Sequence, residues 1–207
     1  KKALEYFDIT LSSSIDPSGG VFYPEYFRKN FIFNDLTQEG ALIGLRVEGP
    51  VNSVDHRITK LCKELDIMNN EFSILEQEQS NIFWEKTRKL QVFTSLQGNL
   101  LRVVVPVSET FEVIQKLKKH EINYFLDWGG SLIWLQIDEI NTKILREIKE
   151  IVQKAAGYLT VIKIEEDMKA TIDIFTVDPI KYKISEKIKT SFDPKRILNP
   201  GKMYSGI

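Results

Sequence analysis

The sequence predicts an α+β fold built of two related halves, and three observations support this prediction. In residues 99–164, segments with apolar residues at every second position alternate with segments whose apolar residues recur every three or four positions. These segments follow the order strand, helix, strand, strand, helix, strand. Residues 1–77 repeat part of that order. Hydrophobic residues make up 43% of the 207 residues, as is typical of a chain that folds around a packed core.

The first half is best defined where a strand runs directly into a helix. Residues 41–48 alternate apolar side chains with others, which is the pattern of a half-buried strand. Val54, Ile58 and Leu61 then follow at helical spacing. In chain order, the predicted elements are a helix at 1–9, strands at 20–24 and 41–48, a helix at 51–66, a possible strand at 71–77 and a connecting helix at 78–90.

The second half contains a glycine-rich turn between two of its strands. Gly129 and Gly130 follow Trp128 and permit the positive φ angles of a tight turn. Gly157 is expected to end a helix in the left-handed conformation. In chain order, the predicted elements are a strand at 99–106, a helix at 107–120, strands at 122–127 and 131–137, a helix at 140–155 and a strand at 158–164.

This order is that of the ferredoxin-like fold, an antiparallel sheet with two helices on one face. The first half fits the same template without its opening strand, which we expect to precede residue 1. We therefore predict tandem ferredoxin-like units in one α+β domain at 1–177, with halves at about 1–77 and 99–164. Residues 165–177 are expected to be mostly extended.

A terminal helix and tail are predicted at 178–207. Asp178 can cap the first turn of the helix, and Pro179 suits its first position. Two prolines and two glycines then lie within the last sixteen residues. Proline fixes φ and restricts the residue before it, so we expect these residues to stiffen the tail.

Composition excludes several classes of site. Lys and Arg number 28 against 29 Asp and Glu, so the net charge favours no nucleic-acid partner. Cys62 is the single cysteine, and His56 and His120 belong to no ligand-spaced cluster, so we expect neither a disulfide nor a metal site. No apolar run approaches the ~20 residues of a membrane-spanning helix. We expect a cytoplasmic protein.

Several motifs carry a resemblance to a known family. The stretch FDPKRILNPGKMY, residues 192–204, resembles the terminal signature of FAD-linked oxidases of the vanillyl-alcohol-oxidase type. Three further segments are similar to the E subunit of bacterial glycolate oxidase. They are DWGGSLIWL at 127–135, AAGYLTVIK at 155–163 and LRVEGPVNSVDHRITKL at 45–61.

The resemblance implies a function for the whole assembly. The α+β domain would be the cap over a flavin, and the chain would belong to a subunit of an FAD-dependent 2-hydroxy-acid (glycolate) oxidase or dehydrogenase. Such an enzyme oxidises the acid to the 2-oxo acid by hydride transfer to the flavin. FAD would be held mainly by the subunit's own upstream domain, because the chain lacks the glycine-rich pyrophosphate-binding segment. Residues 178–207 would pack on that missing domain, and the tail would follow an extended path across its surface. We therefore expect this chain alone to be inactive.

The resemblance also implies partners and site residues. Electrons would leave through an iron–sulfur subunit, and attachment to the inner membrane would be peripheral, through partner subunits. The implied cofactor contacts are Asn199 and Lys202. The implied pocket or interface residues are Trp128, Gly129, Gly130, Arg46 and Arg102, the two arginines as partners for a carboxylate. No catalytic residue is assigned, since the histidine of the family motif is either replaced here by Leu159 or shifted away from this segment altogether.

Two alternative functions remain open from the sequence. Ferredoxin-like sheets also bind RNA, but residues 99–106 and 131–137 lack the adjacent aromatic and basic residues that RNA-binding strands carry. Paired α+β units also occur in modules that bind small regulatory molecules. Salt-dependent RNA binding or saturable amino-acid binding would favour one or the other of these alternatives.

Overall fold

A computed structural model describes residues 1–28, 40–66, 72–93, 98–169, 172–176, 178–202 and 204. Within these ranges the protein has the predicted α+β fold. The helices are α1 (Lys2–Leu11), α2 (Glu25–Arg28), α3 (Val51–Glu64), α4 (Gln77–Arg88), α5 (Val107–Leu117), α6 (Thr142–Lys154) and α7 (Pro179–Phe192). The strands are β1 (Gly19–Tyr23), β2 (Leu42–Arg46), β3 (Asn99–Val104), β4 (Asn123–Asp127), β5 (Leu132–Ile137) and β6 (Tyr158–Lys163).

The strands form one sheet in the order β2-β1-β4-β5-β3-β6. The four strands of residues 99–164 thus have the arrangement that the ferredoxin-like template predicts, with β3 between β5 and β6. β1 pairs antiparallel with β2 and with β4, and β3 pairs antiparallel with β6. The chain divides into two compact units, residues 1–97 with 124–133 and residues 98–123 with 134–207.

An aromatic cluster forms the core of the first unit. The rings of Tyr23 and Phe125 stack with their centroids 4.9 Å apart, and Phe93 lies 5.5 Å from Phe125 and 5.2 Å from Phe27. The Tyr23 hydroxyl donates a 2.9 Å hydrogen bond to Oγ1 of Thr87. Burial raises the pKa of Tyr23, so this hydroxyl stays protonated and serves as a donor inside the core.

The core of the second unit lies between the sheet and two helices. Every second side chain of β3 is buried, and β6 buries Leu159 and Val161, which is the pattern of strands with one covered face. The helix α6 buries Leu145, Ile148 and Val152 at spacings of three and four residues. Asn99 ties three segments together, because its amide donates to the Ile137 and Asp138 carbonyls and accepts from the Glu165 amide.

The outer edge of β6 is covered by residues 174–176. The Val161 amide donates to the Ile174 carbonyl at 2.8 Å, and the Thr176 amide donates to the Leu159 carbonyl at 3.0 Å. Lys149 of α6 secures the same segment, because its ammonium donates to the Asp173 carbonyl at 2.6 Å. The described residues of 165–177 are therefore only partly extended, since Glu166–Met168 form a 3-10 turn.

Two sequence predictions about local structure are wrong. Residues 72–76 form no strand, and residue 77 already begins α4. Ile74 is exposed and therefore does not pack against a sheet, and the Gln and Glu residues after it favour a helix. Residue 71 lies outside the described residues.

The end of α6 is the second correction. The left-handed residue is Ala156, with φ of 53°, and not Gly157. The Gly157 amide donates to the Val152 carbonyl and the Ala156 amide to the Gln153 carbonyl, which is the pattern of a Schellman cap. Gly157 is needed for space, because a Cβ there would lie 2.5 Å from the Val104 carbonyl oxygen and would also clash with Val105.

This geometry predicts that two adjacent substitutions differ in their effect on the free energy of unfolding. Gly157→Ala should lower the free energy of unfolding by about 1 to 3 kcal/mol, because the added methyl overpacks the core. Ala156→Gly relieves a left-handed alanine and should leave that free energy within about 1 kcal/mol of the wild-type value. Urea unfolding of both variants measures the difference. A larger loss in Ala156→Gly than in Gly157→Ala would contradict the assignment.

Candidate functional site

The turn Trp128–Gly130 joins β4 to β5 and lies in the left-handed region throughout. The φ angles are 52° for Trp128, 60° for Gly129 and 96° for Gly130. The Asp127 carboxylate accepts a 2.7 Å hydrogen bond from the Trp128 amide, and Ser131 bonds back to the Trp128 carbonyl. The two glycines therefore supply the conformational freedom that the sequence predicted for this turn.

The same turn packs closely against β1 and α1. A Cβ on Gly20 would lie 3.3 Å from the Cα of Gly129, and a Cβ on Gly129 would lie 2.6 Å from Cδ1 of Leu11. Gly129 and Gly130 are buried, whereas the Trp128 side chain is 56% exposed and Leu11 is 53% exposed. The glycines thus permit a close approach of backbones, and the indole is presented to solvent beside them.

Arg46 is engaged within the first unit. It lies opposite Gly19 in the β1–β2 pair, and its guanidinium is 2.9 Å from Glu48 and 5.9 Å from the ring centre of Trp84. An ion pair and a cation–π contact of this kind hold the guanidinium against its own unit. The structure therefore gives Arg46 local partners, and its role toward a substrate carboxylate remains a prediction.

Arg102 lies on the face of the second unit's sheet that points away from the buried side chains. It is opposite Thr160 in the β3–β6 pair, and Val104 next along its face is opposite Tyr158. Arg102 is half-buried, while Tyr158 and Ile162 are exposed. Apolar and aromatic side chains thus lie near Arg102 along β3 and β6, and its role toward a substrate carboxylate remains a prediction.

The tail after α7 is organised by a buried carboxylate that the sequence reasoning missed. Asp193 accepts hydrogen bonds from the Ile197 amide at 3.1 Å and the Leu198 amide at 2.9 Å. Its other partner is the Lys189 ammonium, at 2.7 Å. Lys189 and then the Leu198 amide hold the pKa of Asp193 below its usual range. The spacing of four residues between Lys189 and Asp193 at a helix end was the available signal.

Further turns hold the rest of the tail. Lys189 also donates to the Leu198 carbonyl, and the Lys202 amide donates to the Asn199 carbonyl at 3.2 Å. Tyr204 is buried, with its ring 5.4 Å from that of Tyr182. The described tail is therefore a series of internally bonded turns, and the expectation of a wholly extended path is wrong. The side chains of Asn199 and Lys202 are exposed.

An apolar stripe runs along the exposed side of α7. Asp178 caps the helix as predicted, accepting from the Ile180 and Lys181 amides at 2.8 and 3.0 Å. Four residues at spacings of four form the stripe, and two apolar tail residues are exposed with them. They are Ile180 (72% exposed), Ile184 (53%), Ile188 (55%) and Phe192 (85%), with Ile197 (72%) and Leu198 (61%) in the tail.

The predicted site residues thus fall into two groups. Trp128, Gly129 and Gly130 form one turn in the first unit, which also contains Arg46. The second unit contains the other three, and they are Arg102, Asn199 and Lys202. A groove of about 440 Å³ between α5 and α6 is lined by lysines, glutamates, Gln115 and Ile151, and by none of these seven residues.

The described residues offer neither a cluster of metal ligands nor a membrane-spanning helix. No group of three or more His, Cys, Asp or Glu side chains is placed to hold a metal ion within the part of the chain that the structure describes. No helix in those same ranges has both the length and the apolar character needed to cross a bilayer.

Comparison with known proteins gives one informative relative. The chain is 28% identical over 130 residues to glycolate oxidase subunit GlcE of Escherichia coli (strain K12). The matched stretch is 62% of this chain and 33% of the relative, so the chain spans about a third of the length of that protein. No family model matches. The match confirms the predicted resemblance to the E subunit of bacterial glycolate oxidase.

The Asp193 network predicts a pH-dependent tail. Because the folded-state pKa lies below the unfolded value of about 3.9, the stabilisation by the carboxylate is complete above that pH and is lost as the pH falls through the folded pKa. The amide resonances of Ile197 and Leu198 should therefore shift in acid. NMR titration of these two resonances measures the effect.

Two variants control this titration. Lys189→Gln should move the midpoint upward toward the ordinary aspartate value, because the largest cause of the lowered pKa is removed. Asp193→Asn should abolish the transition, since an amide does not titrate in this range. An unchanged transition in Asp193→Asn would show that another group controls the tail.

Proposed function

We propose that this chain is the cap and C-terminal region of a subunit of an FAD-dependent 2-hydroxy-acid oxidoreductase, with glycolate as the representative substrate. The similarity to glycolate oxidase subunit GlcE supports the class. The α+β fold fits the part, because the resemblance implies an α+β cap domain over the flavin. The proposal assigns residues 1–177 to the cap and residues 178–207 to the contact with an FAD-binding domain.

The observation that carries the proposal is the exposed apolar stripe of α7. A helix on the surface of a soluble domain ordinarily turns its apolar side chains toward the core. Here Tyr182 packs on Tyr204, whereas Ile180, Ile184 and Ile188 face outward. A contiguous exposed apolar surface marks a contact with another protein surface. In this proposal that surface belongs to the FAD-binding domain of the same subunit.

The exposed polar residues of the tail fit a contact at the edge of a cofactor. Asn199 offers an amide donor and acceptor, and Lys202 offers a cation, beside the exposed side chains of Ile197 and Leu198. These residues could orient a bound flavin and complement its negative charge, while the pyrophosphate would be held by the other domain. FAD, when bound, supplies the hydride acceptor of the reaction.

The role proposed for the sheet face is to bind and shield the substrate. Arg102 would orient a 2-hydroxy acid by pairing with its carboxylate, for which a guanidinium has matching two-donor geometry. Tyr158 and Ile162, each two residues from Thr160 in β6, would exclude water from the bound acid. Trp128 would form part of a wall or a contact with another subunit. The iron–sulfur partner and the cytoplasmic location belong to the same proposal.

Expression of two proteins tests this function. The 207-residue protein should be colourless and inactive toward glycolate and lactate, because it lacks a pyrophosphate-binding segment. The protein that also includes the sequence encoded before Lys1 should copurify with yellow flavin, close to one per chain. Flavin absorbance and oxidation of glycolate with an artificial electron acceptor are the two measurements.

The outcomes separate the parts of the proposal. Flavin binding without oxidation of any 2-hydroxy acid would retain the cap assignment and remove the substrate class. Turnover of glycolate by the 207-residue protein without any other subunit would contradict the cap assignment itself.

A further inference from the structure

The two edges of the sheet are treated differently in this protein. The β6 edge is covered by residues 174–176, and Lys149 holds this covering segment through the Asp173 carbonyl. The opposite edge is β2, which in the described part of the chain pairs on one side only, with β1. A strand at a sheet edge presents backbone N–H and C=O groups that need partners, so an uncovered edge is a template for a further strand.

Within the described residues, β2 also lacks the features that protect natural edges. Proteins blunt edge strands with lysine, proline, bulges or a covering segment. β2 has the sequence LIGLR and pairs with β1 in register at all five positions. Its one charge, on Arg46, is directed to Glu48 and Trp84. The strand is therefore regular, mostly apolar and suited to pairing.

The helix after β2, α3, is less buried than the corresponding helix α6. α3 follows the β1–β2 pair as α6 follows the β4–β5 pair. α6 buries an apolar face because β3 and β6 continue the sheet beyond β5. α3 has an equally regular apolar spacing, yet none of its residues is buried, and Val54, Ile58 and Leu61 are only half-covered. The difference is explained if a strand that belongs beyond β2 lies outside the described residues.

We propose that β2 accepts an additional antiparallel strand, supplied by the part of a longer subunit that lies outside these 207 residues. The template of the first half requires this strand next to β2, and its side chains on the helical face would cover Val54, Ile58 and Leu61. The strand should alternate apolar and polar residues, since one of its faces would be buried. The assignment of this strand to a longer subunit rests on the proposed function. In that proposal the subunit is longer than the 207-residue chain, as its relative is.

Backbone hydrogen exchange tests this proposal. In the 207-residue protein, the β2 amides that point away from β1 should exchange rapidly. In the protein that includes the sequence encoded before Lys1, the same amides should be protected by at least about 100-fold more, because a paired amide exchanges only when the sheet opens. The amides of Leu159 and Val161 are the matched control, since residues 174–176 already cover that edge in both proteins.

Three results would overturn the proposal. The first is equal, rapid exchange of the outward β2 amides in both proteins. The second is protection in the 207-residue protein that increases with concentration, which would identify a second copy as the occupant. The third is a natural protein whose first residue is Lys1, with no encoded segment before it. Flavin content is measured on the same longer protein, so protection of β2 without bound flavin would support strand addition while the proposed function fails.

Discussion

The ion pair between Lys189 and Asp193 fixes how the C-terminal segment leaves α7. Asp193 is buried and also holds the amides of Ile197 and Leu198, so the chain reverses through a defined turn. A turn that is fixed from within can present exposed apolar residues in a constant geometry without a partner. The family resemblance of the tail thus has a physical basis, since the aspartate of Phe-Asp-Pro caps the turn that leads to Asn199.

Apolar surface is distributed unevenly in both units, and the two cases have the same explanation. In the second unit α7 is attached by Tyr182 and Tyr204 and leaves its isoleucines exposed. In the first unit α3 follows an edge strand and buries none of its residues. Burial of apolar side chains supplies most of the favourable free energy of folding. A helix with exposed apolar residues is therefore expected where a further element or domain packs against it. In the proposed function, both surfaces are contacts with other parts of a longer subunit.

The sequence was most informative where periodicity and turn chemistry agreed. The order of elements at 99–164 follows from alternation and helical spacing around Gly129 and Gly130, and the cap at Asp178 follows from its proline neighbour. Three features could not be predicted from periodicity and turn chemistry. The left-handed residue at 156 is an alanine, because crowding by Val104 and Val105 reserves position 157 for glycine. Residues 72–76 have no partner strand in the described fold. The sequence named Asn199 and Lys202 by resemblance. The spacing of Lys189 and Asp193 predicts an ion pair, but it does not predict that the Asp193 carboxylate is buried and holds the turn.

The docking of α7 is the central claim, and a pair of lysine substitutions tests it most directly. Ile184→Lys changes the exposed stripe, and Thr190→Lys adds the same charge at an exposed position outside the stripe. In the 207-residue protein both should change the free energy of unfolding by less than about 0.5 kcal/mol, because neither side chain is buried there. In the protein extended before Lys1, Ile184→Lys should lower it by at least about 2 kcal/mol, because an apolar contact is lost and a charge is buried, while Thr190→Lys should remain neutral. Equal, small effects of the two substitutions in the extended protein would contradict the claim.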